Sequence, residues 1–271
     1  MMRIGVIGCG NMASAVVIGI HKSNPEVEFL TYTPSQVRAK NLAQEVKGAV
    51  VSSLQDFEKV DYLMIACKPQ QFSSLAKELE GLDLSKLTLV SIMAAVPIEK
   101  IQMALKSKNV IRLMPSMPMQ VEEGISLLLA SDGLQKEKMA DFSELLKGSS
   151  VIFECKSETE FNQLTVLTAS GPAYVYYLAE IFEKQLLDWG VDKDAAKQLA
   201  IQLFKGSSLF MEASTLSLND QIAQVTSKKG VTIEAIDLFR SSSIGQNIKT
   251  GVERAFQRSL EIEKAIESEI R

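Results

Sequence analysis

The opening of this chain constrains it most. An apolar run at 4–7 meets Gly8-Cys9-Gly10-Asn11-Met12-Ala13, and a helical pattern follows at once. A Gly-x-Gly-x-x-Ala turn between a buried strand and a helix is the device of a dinucleotide-binding βαβ unit. Gly8 permits the tight turn, Gly10 lets backbone approach a pyrophosphate, and Ala13 is small enough for the helix to sit close on a sheet. The start of the helix offers unpaired N–H groups to phosphate oxygens. A strand–helix turn with no ligand is the plainer reading of the same residues.

The second strand sharpens the expectation through a missing residue. A fold of this kind that prefers NAD carries an Asp or Glu at the end of its second strand, about 20 residues on, to bond the ribose 2′-OH. Here the strand spans 27–31 and runs into Tyr32-Thr33-Pro34-Ser35, with no carboxylate at its end. Two hydroxyls, Thr33 and Ser35, head the next helix, with Arg38 and Lys40 close behind. That set suits a 2′-phosphate, so NADP is expected over NAD, although one of the hydroxyls is also expected to cap the helix.

Length and composition exclude several classes. A chain of 271 residues is long enough for two domains with separate cores. A hydrophobic content of 46% and a mean hydropathy of +0.08 are slightly high, which suits a chain that buries a subunit interface. The net charge of −4 supplies no basic field for nucleic acid. No apolar stretch approaches the roughly 20 residues that span a bilayer, and the N-terminus shows no secretory signal pattern. Three widely spaced cysteines, Cys9, Cys67 and Cys155, do not make a disulfide framework and fit a reducing cytoplasm. The one histidine, His21, is expected to be solvated in the last turn of the first helix. With one His and no Cys-x-x-Cys pair, neither a zinc site nor a histidine triad can be assembled.

Strand-like runs at 4–7, 27–31, 61–67, 87–93, 110–113, 125–129 and 151–153 alternate with helical patterns at 34–46, 70–79, 98–106 and 135–146. Such alternation predicts an α/β fold, a Rossmann-type doubly wound parallel sheet with helices on both faces. Beyond Cys155 only helical spacing remains, as in Leu178, Ile181, Phe182 and Leu186, and again in Ile244, Ile248, Val252, Ala255 and Phe256. The boundary is placed at 155/156, giving a dinucleotide-binding domain over 1–155 and an all-helical domain over 156–271. Ser157 and Glu160 form a candidate capping box for its first helix.

Four further segments stand where chemistry could occur. Ala66-Cys67-Lys68-Pro69-Gln70 follows a buried strand and would open onto a cofactor crevice; a Pro-started helix with a surface lysine is the alternative. Arg112-Leu113-Met114-Pro115-Ser116-Met117-Pro118 reads as an extended, rigid loop. Ser170-Gly171-Pro172 should kink or split a helix. In Thr226-Ser227-Lys228-Lys229-Gly230-Val231-Thr232, Ser227, the amides of Val231 and Thr232 and a helix start could hold a carboxylate; an ordinary N-cap loop fits equally.

Taken together, in order and over essentially the whole chain, these segments resemble the pyrroline-5-carboxylate reductase family. Gly8-Cys9-Gly10-Asn11-Met12 is similar to its glycine-rich loop, Ala66-Cys67-Lys68-Pro69-Gln70 to its Ala-Val-Lys-Pro-Gln, and Arg112-x-Met114-Pro115 to its Arg-x-Met-Pro. Ser170-Gly171-Pro172-Ala173-Tyr174 matches its Ser-Gly-Pro-Ala-Tyr, and Thr226-Ser227-x-x-Gly230-x-Thr232 resembles its Thr-Ser-Pro-Gly-Gly-Thr-Thr. The resemblance implies NADPH-dependent reduction of 1-pyrroline-5-carboxylate to L-proline, the last step of proline biosynthesis. It implies that Gly8, Cys9, Gly10, Asn11 and Met12, with Thr33, Pro34, Ser35 and Ser53, meet the phosphates and ribose of NADP. Ala66, Cys67, Lys68, Pro69, Met93 and Ala94 would lie by the nicotinamide. Glu158 would line the imino-acid site, with Ser227, Gly230, Val231 and Thr232 holding the substrate and the Thr232 hydroxyl on the ring nitrogen. The family's helical domain forms a homodimer that completes the site, and rings of dimers occur in it.

The chain departs from the family at three places: Lys228-Lys229 for Pro-Gly, Ser116-Met117 for Asn-Thr, and Thr33-Pro34 for Asn-Arg. The first is the most serious, because Pro-Gly shapes a turn that Lys-Lys is not expected to copy freely. Two competing readings therefore stay open here. One is an NADP-binding paralogue with another substrate or a regulatory role. The other is a β-hydroxyacid dehydrogenase, against which stands the lack of a lysine between Phe161 and Phe182.

Overall fold

The computed structural model describes residues 2–269. In chain order the first half runs β1 (Arg3–Ile7), α1 (Asn11–Ser23), β2 (Glu28–Tyr32), α2 (Val37–Glu45), β3 (Ala49–Val50), β4 (Tyr62–Ile65), α3 (Phe72–Glu78), β5 (Thr88–Ser91), α4 (Ile98–Leu105), β6 (Val110–Pro115), β7 (Gly124–Ala130), α5 (Lys136–Leu146) and β8 (Ser150–Glu154). The rest is helical: α6 (Glu158–Thr168), α7 (Gly171–Asp188), α8 (Lys193–Ala213), α9 (Leu218–Gln224), α10 (Val231–Ser241) and α11 (Ile244–Glu269). Contacts divide the chain into two compact units, Met1–Pro172 with Ala255–Arg271, and Ala173–Arg254. The division differs from 155/156 because α6 belongs to the sheet unit, where Phe161 packs with Met114, Leu127, Leu129 and Cys155.

The strands form one eight-stranded sheet in the order β3-β2-β1-β4-β5-β6-β7-β8. Its first six strands are the doubly wound arrangement that the alternation predicts. Successive side chains of a strand point to opposite faces, and here both faces are buried. On β4, Tyr62 and Met64 join α1 and α5 through Val16, Ile20, Phe142 and Leu146. Leu63 and Ile65 join α3 and α4 through Phe72, Leu75, Ile101 and Leu105, with Ile266 from α11. Ala13 is buried, as close packing of α1 requires.

Three expectations are corrected. The sheet is not wholly parallel: β6 pairs antiparallel with β7 while β7 and β8 run parallel to each other. A single 3₁₀ turn, Met117–Val121, joins β6 to β7, and a connection that short can only reverse the chain. The same turn replaces part of the extended loop expected after Arg112, since β6 continues to Pro115. His21 is half-buried, not solvated, with its ring edge-on to Phe29 at 6.4 Å and Nδ1 lacking a partner.

The unit Ala173–Arg254 has a different texture. Asp192 and Ser217 cap α8 and α9 through their side chains, so its helices begin as their sequences dictate. Yet α7 and α10 bury no residue within a single chain, and α8 buries only Ala196 and Ala200. Phe182 stacks edge-on with Phe204 at 5.8 Å, while Tyr176, Tyr177, Ile181 and Leu203 stay exposed and Trp189 keeps 74% of its surface.

Candidate active site

The expected cofactor residues meet at one edge of the sheet. Ile7 pairs with Tyr32 on one side and with Ile65 on the other, and Ile65 pairs with Ser91. The carboxyl ends of β2, β1, β4 and β5 are therefore level, and the segments following them carry Thr33, Gly8, Ala66 and Met93. Between β1 and β4 the strand order reverses, the place where doubly wound sheets form a ligand crevice.

The glycine turn has the geometry its sequence demands. Gly8 sits at φ +95°, and a Cβ there would lie 2.5 Å from the Ala66 carbonyl oxygen. A Cβ on Gly10 would meet nothing within 4 Å, so the space above it is open. Gly10 is the N-cap of α1, whose first turn has no side-chain cap and no acidic residue. Open space beside an uncapped helix start is a cradle for an anion, and it fits the pyrophosphate of a dinucleotide. Cys9 is buried, with its thiol toward the Tyr32 carbonyl at 3.8 Å, and burial pushes its pKa up to about 11. A neutral thiol is the form compatible with a nearby phosphate.

The turn after β2 departs from expectation in a way that helps the ligand. Neither Thr33 nor Ser35 caps α2 with its hydroxyl; the N-cap is Gln36 at φ 55°, and the turn uses the carbonyls of Thr33 and Ser35 to accept from Gln36 and Val37. The Thr33 hydroxyl is left buried without a partner, and Pro34, Ser35, Arg38 and Lys40 are exposed. An orphaned buried hydroxyl with two cations just beyond it fits a phosphorylated ribose. Ser53 is different: its oxygen accepts from the Gln55 amide as the cap of a 3₁₀ turn, Leu54–Lys59.

On the other side of the crevice Lys68 is exposed and Pro69 opens a 3₁₀ turn ahead of α3. Cys67 is half-buried with Sγ 3.6 Å from the sulfur of Met93, and burial pushes its pKa up to about 11. Ala94 is exposed, and Ala95 beside it is held at φ 59°.

Glu158 has both oxygens engaged by protein groups. One accepts the Ile98 amide at 2.8 Å, and the other pairs with Arg112. Arg112 is only 1% exposed, lies level with Ser91 across the β5–β6 pairing, and stacks 4.3 Å over the Phe161 ring. Burial lowers its pKa while the Glu158 carboxylate raises it; an arginine stays charged under both. Sequence spacing gave no hint of this pair, since the partners are 46 residues apart and Glu158 reads locally as a first-turn acid. Of the capping box, only half forms: Ser157 accepts from the Glu160 amide, while the Glu160 carboxylate takes the Lys156 amide.

In the helical unit the loop before α10 closes as a turn, with the Gly230 amide donating to the Ser227 carbonyl at 3.0 Å. Lys228 and Lys229 are its central residues, and Lys229 adopts φ 61°. Lys-Lys thus closes a four-residue turn by placing its second lysine in the left-handed region, where the glycine of a Pro-Gly turn commonly sits. A Cβ on Gly230 would crowd the Ser227 hydroxyl, which would have to rotate away to admit it. Gly230 caps α10 without a side chain, Val231 is 91% exposed, and Thr232 is exposed in the first helical turn. The Thr226 hydroxyl turns back onto the Ile222 carbonyl, leaving Ser227, Val231 and Thr232 as the groups that face outward. The helix split at Ser170-Gly171 is present, with α6 ending at Thr168 and α7 starting at Gly171.

Among the described residues no group of three or more His, Cys, Asp or Glu could hold a metal, and no helix is long and apolar enough to cross a membrane.

Comparisons with known proteins match two separate stretches of the chain. Residues 3–95 match a family described as NADP oxidoreductase, coenzyme F420-dependent, and residues 158–262 match pyrroline-5-carboxylate reductase dimerisation. A pyrroline-5-carboxylate reductase of Staphylococcus haemolyticus is 29% identical over 270 residues, covering 97% of this chain and 98% of the relative. The structure of a Streptococcus pyogenes 1-pyrroline-5-carboxylate reductase aligns with a TM-score of 0.79 at 25% identity, over 97% of this chain and 98% of that one. A Plasmodium falciparum pyrroline carboxylate reductase with NADP bound shares the fold, with a TM-score of 0.82 at 24% identity over 98% of both chains.

Proposed function

The chain belongs to the pyrroline-5-carboxylate reductase family, and on that premise we infer that it reduces 1-pyrroline-5-carboxylate to L-proline with NADPH, the closing step of proline biosynthesis. The observation that carries this reading is the full-length match to reductases of that name, 97% of the chain against 98% of the relative. The turn closed at Lys228-Lys229 supports a reductase over a regulatory paralogue. The absence of a lysine between Phe161 and Phe182 disfavours a β-hydroxyacid dehydrogenase.

When bound, NADPH supplies the hydride that reduces the imine carbon. The open cradle at Gly8, Cys9, Gly10, Asn11 and Met12 would hold its pyrophosphate. Thr33, Pro34, Ser35 and Ser53 would take the ribose and its phosphate, and Ala66, Cys67, Lys68, Pro69, Met93 and Ala94 would flank the nicotinamide. Ser227, Gly230 and the amides of Val231 and Thr232 would bind the substrate carboxylate at the uncapped start of α10. The Thr232 hydroxyl would bond the ring nitrogen, which holds the proton that balances the added hydride. A protonated imine is already electrophilic, so orientation is the main contribution, able to supply roughly 7–11 kcal/mol.

The apolar side chains that the helical unit leaves exposed in one chain suit a homodimer, and rings of dimers are a further assembly open to it. Three free thiols suit a reducing, cytoplasmic location. Loss of the dihydronicotinamide absorbance in the presence of 1-pyrroline-5-carboxylate tests the activity. Turnover is expected with NADPH in preference to NADH, and no turnover with either cofactor would sink the reading.

A further inference from the structure

The loop between β5 and α4, residues 92–97, is held in a conformation that its sequence alone does not favour. Ala95 sits at φ 59°, a left-handed position that a residue with a Cβ seldom takes without support. The loop is anchored at both ends. At its start the buried Ser91 hydroxyl accepts the Met93 amide at 3.3 Å. At its end the Ile98 amide donates to Glu158 at 2.8 Å. Pro97 is the N-cap of α4 and provides no side-chain bond, so Glu158 reaches across from α6 to cap α4 in its place.

Glu158 is itself held by Arg112. The guanidinium is fixed on three counts: by its place in β6, by the Phe161 ring beneath it, and by Asn162 at 3.5 Å, which in turn donates to Glu263 at 2.9 Å. The Nε and Nη2 atoms of Arg112 are buried without partners. A half-satisfied buried cation is a poor way to gain stability, since apolar residues of similar volume commonly do as well or better. A buried charge fixed in this way is suited to positioning the groups it touches.

We propose that Arg112 and Glu158 form a positioning pair that pins loop 92–97, and through it the nicotinamide-side wall of the crevice, in place of a contact between Glu158 and the substrate. The proposal rests on the reading that Met93 and Ala94 flank the nicotinamide. Neither residue touches the reacting atoms: Arg112 orients Glu158, and Glu158 holds the loop.

The test combines loop exchange, cofactor affinity and kinetics on the full chain with Glu158→Ala, Glu158→Gln and Arg112→Met. In the cofactor-free protein, Glu158→Ala is expected to speed hydrogen–deuterium exchange at 92–98. It should also weaken NADPH binding about tenfold, the scale of one charged hydrogen bond, while the KM for 1-pyrroline-5-carboxylate moves less than about twofold. Glu158→Gln keeps an acceptor for the Ile98 amide and should restore loop protection and bring NADPH affinity within about threefold of the parent. Arg112→Met should resemble Glu158→Ala, and if it fails to fold, the Ala and Gln pair still decides the matter. Unchanged loop exchange in Glu158→Ala overturns the proposal. So does a raised substrate KM with unchanged NADPH affinity, which would place Glu158 on the imino acid. Failure of the parent protein itself to bind NADPH would overturn the functional reading instead, and the loop exchange would still decide whether Glu158 pins 92–97.

Discussion

The two compact units solve the burial problem in opposite ways. The sheet unit closes its own core: β4 alone sends Tyr62 and Met64 to one buried face and Leu63 and Ile65 to the other. In the unit Ala173–Arg254, α7 runs for 18 residues and buries none of them in a single chain. A helix with that much apolar surface is stable in water only when something covers it. The difference teaches that the sheet unit can be specified by one chain, whereas the helices of the other unit leave their apolar faces uncovered within it.

The largest expected effect breaks the comparison outright. Ile181 is exposed in one chain, so Ile181→Asp should change a monomer by no more than about 0.5 kcal/mol. In a dimer that covers α7, it buries an unpaired carboxylate at a cost on the order of several kcal/mol. Light scattering should show dissociation, and far-UV circular dichroism a loss of helical signal. A variant that stays dimeric at micromolar concentration would mean that this face of α7 is not covered.

The next effect separates the halves kinetically. Thr232→Ala should lower kcat by the equivalent of about 1–3 kcal/mol, with NADPH affinity measured by fluorescence unchanged. A fall in NADPH affinity would show that the helical unit shares the cofactor site.

A smaller and opposite effect is expected at Lys229. Releasing a left-handed lysine recovers about 1–2 kcal/mol, and the added freedom of glycine in the unfolded chain returns about 0.5–1 kcal/mol of that. Lys229→Gly should therefore raise Tm modestly, and a lowered Tm would show that the lysine side chain makes stabilising contacts in the assembled protein.

The smallest effect concerns thiols, all three of which lie in the sheet unit. Burial holds Cys9, Cys67 and Cys155 near a pKa of about 11. A raised pKa keeps each neutral at pH 7, so alkylation followed by mass spectrometry should be slow there. It should rise about tenfold per pH unit through pH 9 and level off only near 11, whereas an ordinary cysteine levels off near 8.5–9. Fast labelling of Cys9 at pH 7.5 would show that the glycine turn opens in solution.

What could be read from sequence was local. The β1 turn was legible because each glycine answers a need within a few residues, and the helix break at Gly171-Pro172 for the same reason. The strand β3 was missed because two residues carry no period. The reversal at β7 was missed because strand direction is decided by the length of a connection, here one 3₁₀ turn, and not by the strand's own pattern. One of Thr33 and Ser35 is expected to cap α2 because hydroxyls before a helix usually do; Gln36 takes the position in a left-handed conformation. The role of Glu158 depends on Arg112 and Ile98, neither of them a sequence neighbour, so no local pattern could reveal it.

The sheet's two free margins bear on how the protein behaves when concentrated. One margin is β3, only two residues long and too short to template another strand. The other is β8, five residues long, where Val151 is 73% exposed and Phe153 46%. Edge-to-edge aggregation is thus a one-sided hazard, concentrated at 150–154 and blunted at its end by Glu154 and Lys156. A charge introduced at Val151 would guard that margin without touching the crevice, and storage life at high protein concentration is where its benefit would appear.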